Sequence, residues 1–213
     1  EDRGLLEEFT KDRNPFRVRM LLPVLYPLFF ENGLHQDAIG LLNAGLPALA
    51  GTRKSEMLHR VLNDAAVLLR EGDPTTALAY LKSLGGFELS GDALPPDLAA
   101  FARKLIRKKS QCLQMLGQME AAEADLKRLS ELGDFEESIE AVTDLGLIVG
   151  SFQSLYEILP GENREAFAVK LSALERGKPF FQKAVSREAA DGSMRSRNAH
   201  FALGILELFS IKN

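Results

Sequence analysis

Cysteine occurs once in this 213-residue chain, at Cys112. No intrachain disulfide is available, which favours a reducing, cytoplasmic setting or a fold that does not depend on oxidation. Cys112 falls in an apolar helical row and reads as a small buried hydrophobe. Histidine is scarce, and His35, His59 and His200 each lack a second His, Cys or paired acid at ligand spacing. Neither a metal site nor a cofactor is expected. Long hydrophobic runs are missing too. The longest, Met20 to Phe30, is broken by Pro23 and Pro27 and falls short of the ~20 residues that span a bilayer. No membrane partner is expected, and no signal peptide is visible. The chain starts at Glu1 rather than Met and reads as a fragment, so a targeting sequence would lie outside it. An excess of positive charge is also lacking: the net charge is -4. That argues against general nucleic-acid binding, which depends on many phosphate-neutralising cations.

Alternating, strand-like runs are absent, and nearly every segment carries the helical period, so the fold class is all-α. The clearest helix runs from Pro96 to Leu116, with Leu98, Phe101, Ala102, Leu105, Ile106, Cys112, Leu113 and Leu116 along one face. Pro95-Pro96-Asp97 signals its start. Asp73-Pro74 is a second start of this kind, an N-cap followed by proline at the first helical position.

The helices recur in pairs around glycine. Gly33, Gly72, Gly117 and, less cleanly, Gly150 each sit between two apolar helical stretches. Seven residues before the first three glycines stand Tyr26, Ala65 and Ser110, and four before stand Phe29, Leu68 and Leu113. Five after come Ala38, Ala77 and Ala122, and nine after come Leu42, Leu81 and Leu126. A helix, a glycine turn and a second helix needing a small residue for close packing would give this spacing, the mark of a helical solenoid. The expected pairs are 16–31 with 35–48, 54–71 with 74–84, 96–116 with 119–132, and 135–148 with 152–159. The stretches Leu46–Arg53 and Gly85–Pro96 read as surface linkers. After Pro160 the register fails, and helices are expected near 163–176, 179–190 and 193–210. The organisation expected is therefore hairpin repeats over 1–160 and, over 161–213, helices that cap or extend the same solenoid.

The second pair, Asn63 to Leu81, follows the small–large–Gly–Asp–Ala–large pattern without a gap and resembles a tetratricopeptide repeat. The third pair, Ser110 through Leu129, fits as well. The first fits with the larger Tyr26 in the small slot, and the fourth departs, with Gly146 and Leu155 in place of the expected large and Ala residues. Coverage is about residues 16–160, and related helical-hairpin families share the motif. The resemblance implies a right-handed superhelical solenoid of antiparallel pairs, about four plus C-terminal capping helices. It also implies a concave groove, lined by the first helix of each pair, that binds an extended peptide or a partner's helix. In that register the groove would present His59, Asn63, Ala66 and Arg70 from the second pair. The third would present Lys104, Arg107, Lys108, Gln111 and Gln114, and the fourth Glu137, Glu140 and Asp144. Some family members clamp a partner's C-terminal carboxylate with Lys, Asn and Arg. Asn63, Lys104 and Lys108 occupy three of those five positions, but Pro23 and Pro27 occupy the other two and cannot replace Lys and Asn.

The densest charge run is Arg103, Lys104, Arg107, Lys108 and Lys109. Like charges four apart on a helix cost a few tenths of a kcal/mol, about what an acidic neighbour offsets. The run reads either as a solvated face or ladder to Glu137, Glu140 and Asp144, or as a basic patch for an acidic peptide. Phe16, Tyr26, Phe29 and Phe30, and later Phe180, Phe181, Phe201 and Phe209, read as core or end-cap packing; any left uncovered would suit self-association and a homo-oligomer. The apolar run Ala199 to Phe209 is able to fold back into the groove. Catalytic motifs are missing: Cys112 has no nearby His, and around Gly177-Lys178 the flanking Ser172 and Pro179 break a phosphate-binding loop. Ser193 to Arg197 is better explained as a helix start after Asp191-Gly192 than as a phosphorylation loop. No enzyme is expected. The function expected is a protein-interaction scaffold binding a protein or peptide with micromolar affinity, about −8 kcal/mol. The alternative is a spacer or oligomerisation module of a larger protein.

Overall fold

A computed structural model describes residues 15–84, 96–132, 135–152, 164–188 and 196–210. Among these, every element is helical and there is no strand. The elements are α1 (Pro15–Glu31), α2 (His35–Gly45), a 3-10 turn (Leu46–Ala48), α3 (Gly51–Arg70) and α4 (Pro74–Ser83). They continue with α5 (Pro96–Met115), α6 (Met119–Ser130), α7 (Glu136–Val149), α8 (Arg164–Glu188) and α9 (Arg197–Ser210). No described helix is long and apolar enough to cross a membrane.

The recurring glycines end their helices for one physical reason. Gly33, Gly72 and Gly117 have φ of +72°, +83° and +72°, the left-handed conformation that only glycine adopts at no steric cost. Each turn closes with the same two bonds. Gly33 N–H donates to Phe30 C=O at 3.0 Å and Leu34 N–H to Phe29 C=O at 2.9 Å, and the pattern repeats at Gly72-Asp73 and Gly117-Gln118. These bonds satisfy carbonyls that a helix end leaves unpaired. The residues at the four recurring offsets around these three glycines are all buried, from Tyr26, Ala65 and Ser110 to Leu42, Leu81 and Leu126.

The fourth turn uses the same bonds one residue later. Ser151 N–H donates to Ile148 C=O at 2.8 Å and Phe152 N–H to Leu147 C=O at 2.8 Å, and Ser151 carries the positive φ of 62°. Gly150 stays helical. Counted from Ser151, the large residue four back is the buried Leu147, not Gly146. The second helix expected for this pair, 152–159, lies almost wholly outside the described residues, as do Leu155, the linker at 85–95 and residues 191–195.

The chain divides into two compact units, Glu1–Lys108 and Lys109–Asn213, and the division falls inside α5. In unit 1, α1 packs on α2, α3 on α4, and α2 on α4. Asp73 caps α4, its carboxylate accepting from Thr76 N–H at 3.0 Å with Pro74 in the first turn. The supposed linker after α2 is partly core, since Leu46 and Leu49 are buried. Tyr26, Phe30, His35 and Tyr80 form a ring cluster with centroids 5.5–6.2 Å apart, Tyr26 stacked on Phe30 and the other pairs edge-on. Tyr26 and Phe29 thus pack as core, whereas Phe16 is 70% exposed.

In unit 2, consecutive helices from α6 to α9 pack on one another, and α9 also reaches α7. Cys112 is buried. One correction concerns α8. Two helices separated at Gly177 were expected, but Arg164–Glu188 is continuous through Gly177 and Pro179. Gly177 serves a crossing rather than a break: a Cβ there would land on the Gly146 carbonyl, and one on Gly146 would come within 2.5 Å of Phe181 Cε1. The run Ala199 to Phe209 is engaged in this core, with Ala199, Ala202, Ile205 and Leu206 joining Ile139, Val142, Leu174 and Phe181.

Candidate functional site

The surface with most chemical character lies in unit 1, where α1 and α3 run beside each other. Their attachment is polar as well as apolar. Tyr26 Oη donates to Asp64 Oδ2 at 2.9 Å, and Arg60 meets Glu31 at 3.6 Å and Asp64 at 3.9 Å. Burial holds the Asp64 carboxyl above the ordinary range, opposed by the Tyr26 hydrogen bond and the Arg60 charge. Burial likewise pushes the Tyr26 and Tyr80 hydroxyls up, so both stay protonated donors.

α3 turns Met57, Leu58, Val61, Leu62, Ala65 and Leu68 inward. The same helical period therefore sets Thr52, Ser55, Glu56, His59, Arg60, Asn63 and Asp64 along its other side, where they line a concavity of about 560 Å³. A neighbouring concavity of about 320 Å³ is lined by Arg19, Met20 and Pro23 of α1 with Arg53, Glu56, Met57 and Arg60 of α3. Glu56 and Arg60 belong to both. His59 also sets its ring edge-on to Phe101 of α5, at 5.3 Å.

Of the residues placed on a groove by sequence, His59 and Asn63 line the larger concavity. Arg70 is exposed at the end of α3. Lys104 is exposed on α5, and Arg107 and Lys108 are half-buried there. Lys109 of the same run pairs with Asp125 of α6 at 3.1 Å. In unit 2, Gln111, Glu137 and Glu140 are half-buried, whereas Gln114 and Asp144 are buried at 4% and 7% exposure. Asp144 stands seven residues before Ser151, in the inward slot that Ala65 and Ser110 fill elsewhere, so its side chain belongs to the interior. Arg19 and Arg53 were not singled out from sequence. An isolated arginine in a helical pattern reads as a solvated face, and only folding sets these two beside each other across the helix pair.

Among the described residues no cluster of three or more His, Cys, Asp or Glu stands where it would hold a metal ion. Comparison with known protein-family models gives no match, and comparison with curated proteins gives none.

Proposed function

We propose that this chain is a protein-interaction module of paired helices, similar in kind to the tetratricopeptide repeats, that receives a segment of a partner protein on a concave face. On this reading the pairs stack in a right-handed superhelix, the setting is cytoplasmic, and the work is binding rather than catalysis. The observation that carries it is a pair of adjoining concavities, one along α3 that presents His59 and Asn63 and one between α1 and α3 that is floored by Met20, Pro23 and Met57. Three turns built on the same hydrogen bonds, with every recurring offset buried, support repeat architecture. Binding at such a surface rests on a few anchors rather than on area.

The test is affinity capture with the chain as bait, followed by mass spectrometry. It is repeated with His59→Ala/Asn63→Ala and with Lys104→Glu/Lys108→Glu. A partner lost from either variant while circular dichroism keeps the helical signal supports the reading. A partner retained by both would remove this face from consideration.

A second reading, a spacer or oligomerisation module, draws on one specific observation. Phe16, Met20, Val24 and Leu28 follow one another at four-residue spacing on α1, and all four are exposed. Light scattering over a range of concentrations decides between them, since a concentration-independent monomer counts against self-assembly.

A further inference from the structure

The smaller concavity sets three guanidinium groups, Arg19, Arg53 and Arg60, against one carboxylate, Glu56. Arg60 is already matched by Glu31 and Asp64. Arg19 donates from Nε to the Ala48 carbonyl at 3.0 Å, and Arg53 from Nη1 to the Met20 thioether at 3.6 Å. Neither acceptor neutralises a charge. Each guanidinium keeps most of its five N–H donors for something else. α3 begins beside them at Gly51 with no side-chain cap and no acid in its first turn, so the helix dipole adds to the positive potential there. Next to this charge lies apolar surface: Met57 forms a buried floor, Met20 is 48% exposed, and Pro23 closes the α1 side. Methionine adapts its shape to varied aliphatic partners.

We propose that this concavity takes a partner segment in which a carboxylate side chain adjoins a large aliphatic one, the carboxylate bridged by Arg19 and Arg53 and the aliphatic group seated on Met20, Pro23 and Met57. The inference rests on the reading of the chain as an interaction module and names the chemistry of its ligand. The volume, about 320 Å³, is at the small end for ligand sites and suits one or two side chains rather than a cofactor. A polyanion fits poorly, because the floor is apolar and Glu56 stands at the rim. A second copy of the chain fits poorly as well. A two-fold pairing through this face would set Arg19 and Arg53 against the same arginines of the copy.

The probe is a fluorescein-labelled Gly-Ser peptide carrying a central Asp-Asp-Leu-Leu, titrated with the full chain and read by anisotropy. The expected result is saturable binding that weakens at least roughly fivefold when the centre becomes Asn-Asn-Leu-Leu or Asp-Asp-Ser-Ser, since charge and apolar contact both contribute. Arg53→Glu and Arg19→Gln should each weaken binding roughly tenfold, the effect of losing a charge-assisted hydrogen bond. Arg53→Lys keeps the charge without the planar fork and should fall between. Among the described residues Arg53 makes only the thioether contact, so Arg53→Glu should leave the thermal unfolding midpoint in place and remains informative even where Arg19→Gln disturbs the fold. The inference is overturned by any of three results: no saturable binding, equal binding of the asparagine peptide, or parent-like affinity in Arg53→Glu. A captured partner that binds Arg53→Glu as well as the parent would overturn this assignment while leaving the interaction module standing. Concentration-dependent dimers abolished by Arg53→Glu would instead assign the face to a second copy.

Discussion

Asp73 and Asp64 are both aspartates in unit 1, and their surroundings drive them in opposite directions. Asp73 accepts from Thr76 N–H at the start of α4, and these hydrogen bonds hold its carboxyl below the ordinary range. A lowered folded-state pKa contributes stability above the unfolded value, about 3.9, that is lost as pH falls through the folded one. Asp73→Ala should therefore cost about 1 kcal/mol at neutral pH. In urea unfolding, its deficit relative to the parent should shrink as the pH falls below about 4. A deficit that stays constant down to acid pH would count against the cap. For Asp64 the sign reverses. Burial raises its carboxyl, so its contribution is most favourable when protonated and declines as pH rises through its range. Asp64→Asn keeps an acceptor for the Tyr26 hydroxyl but cannot ionise. Relative to the parent, its urea midpoint should improve between acid and neutral pH, and a parallel pair of pH curves would contradict that assignment. The Asp73 cap was readable from Asp73-Pro74 alone. The Asp64 pairing was not, because its partner Tyr26 lies in another helix and sequence gives no distance between them.

At the scale of helices and turns, local chemistry decided what could be read in advance. Three turns were legible because a left-handed residue is almost always glycine, and the offsets from it count directly into the core. The fourth was misplaced by one residue because a glycine is present at 150 while the left-handed backbone is at Ser151. Packing explains why residue 150 is nevertheless glycine, since a Cβ there would lie 2.8 Å from Phe152 Cδ2. Ser151→Gly should stabilise the chain by about 0.5 kcal/mol. Relief of left-handed strain, about 1–2 kcal/mol, outweighs glycine's extra unfolded-state entropy, about 0.4–1 kcal/mol. Gly117→Ala should do the reverse at φ +72°, costing about 1 kcal/mol. Chemical denaturation of the two variants checks both signs, and a loss on Ser151→Gly would mean the turn is held by its hydroxyl. The uninterrupted α8 was illegible for a related reason. Glycine and proline are breakers in isolation, but at Gly177 a crossing helix backbone requires the missing Cβ. Gly177→Ala should cost at least about 1–3 kcal/mol, because the obstruction is backbone and cannot rotate away.

At the scale of the whole chain, sequence made the helical class and three glycine turns legible and left the candidate site half-drawn. Register sets His59 and Asn63 four residues apart on one face of α3, and both line the larger concavity. Arg19 and Arg53 could not be picked out from sequence, since their chemistry depends on two helices meeting and on which carboxylates are already paired elsewhere. The proposed repeat architecture makes a statement about cooperativity. In a stacked array each element draws its buried contacts from its neighbours, so damage stays local. Unit 2 offers the cleaner test, since Phe181 is wholly buried in a core drawn from α7, α8 and α9. Phe181→Ala should remove about 3–5 kcal/mol of local stability. Hydrogen exchange followed by mass spectrometry should then show lost protection across α7 to α9, with α1 to α4 retaining the parent's protection. Equal loss of protection in both units would mean that the chain unfolds as a single cooperative body. Nearest-neighbour stacking, and with it the argument for a repeat scaffold, would then have to be given up.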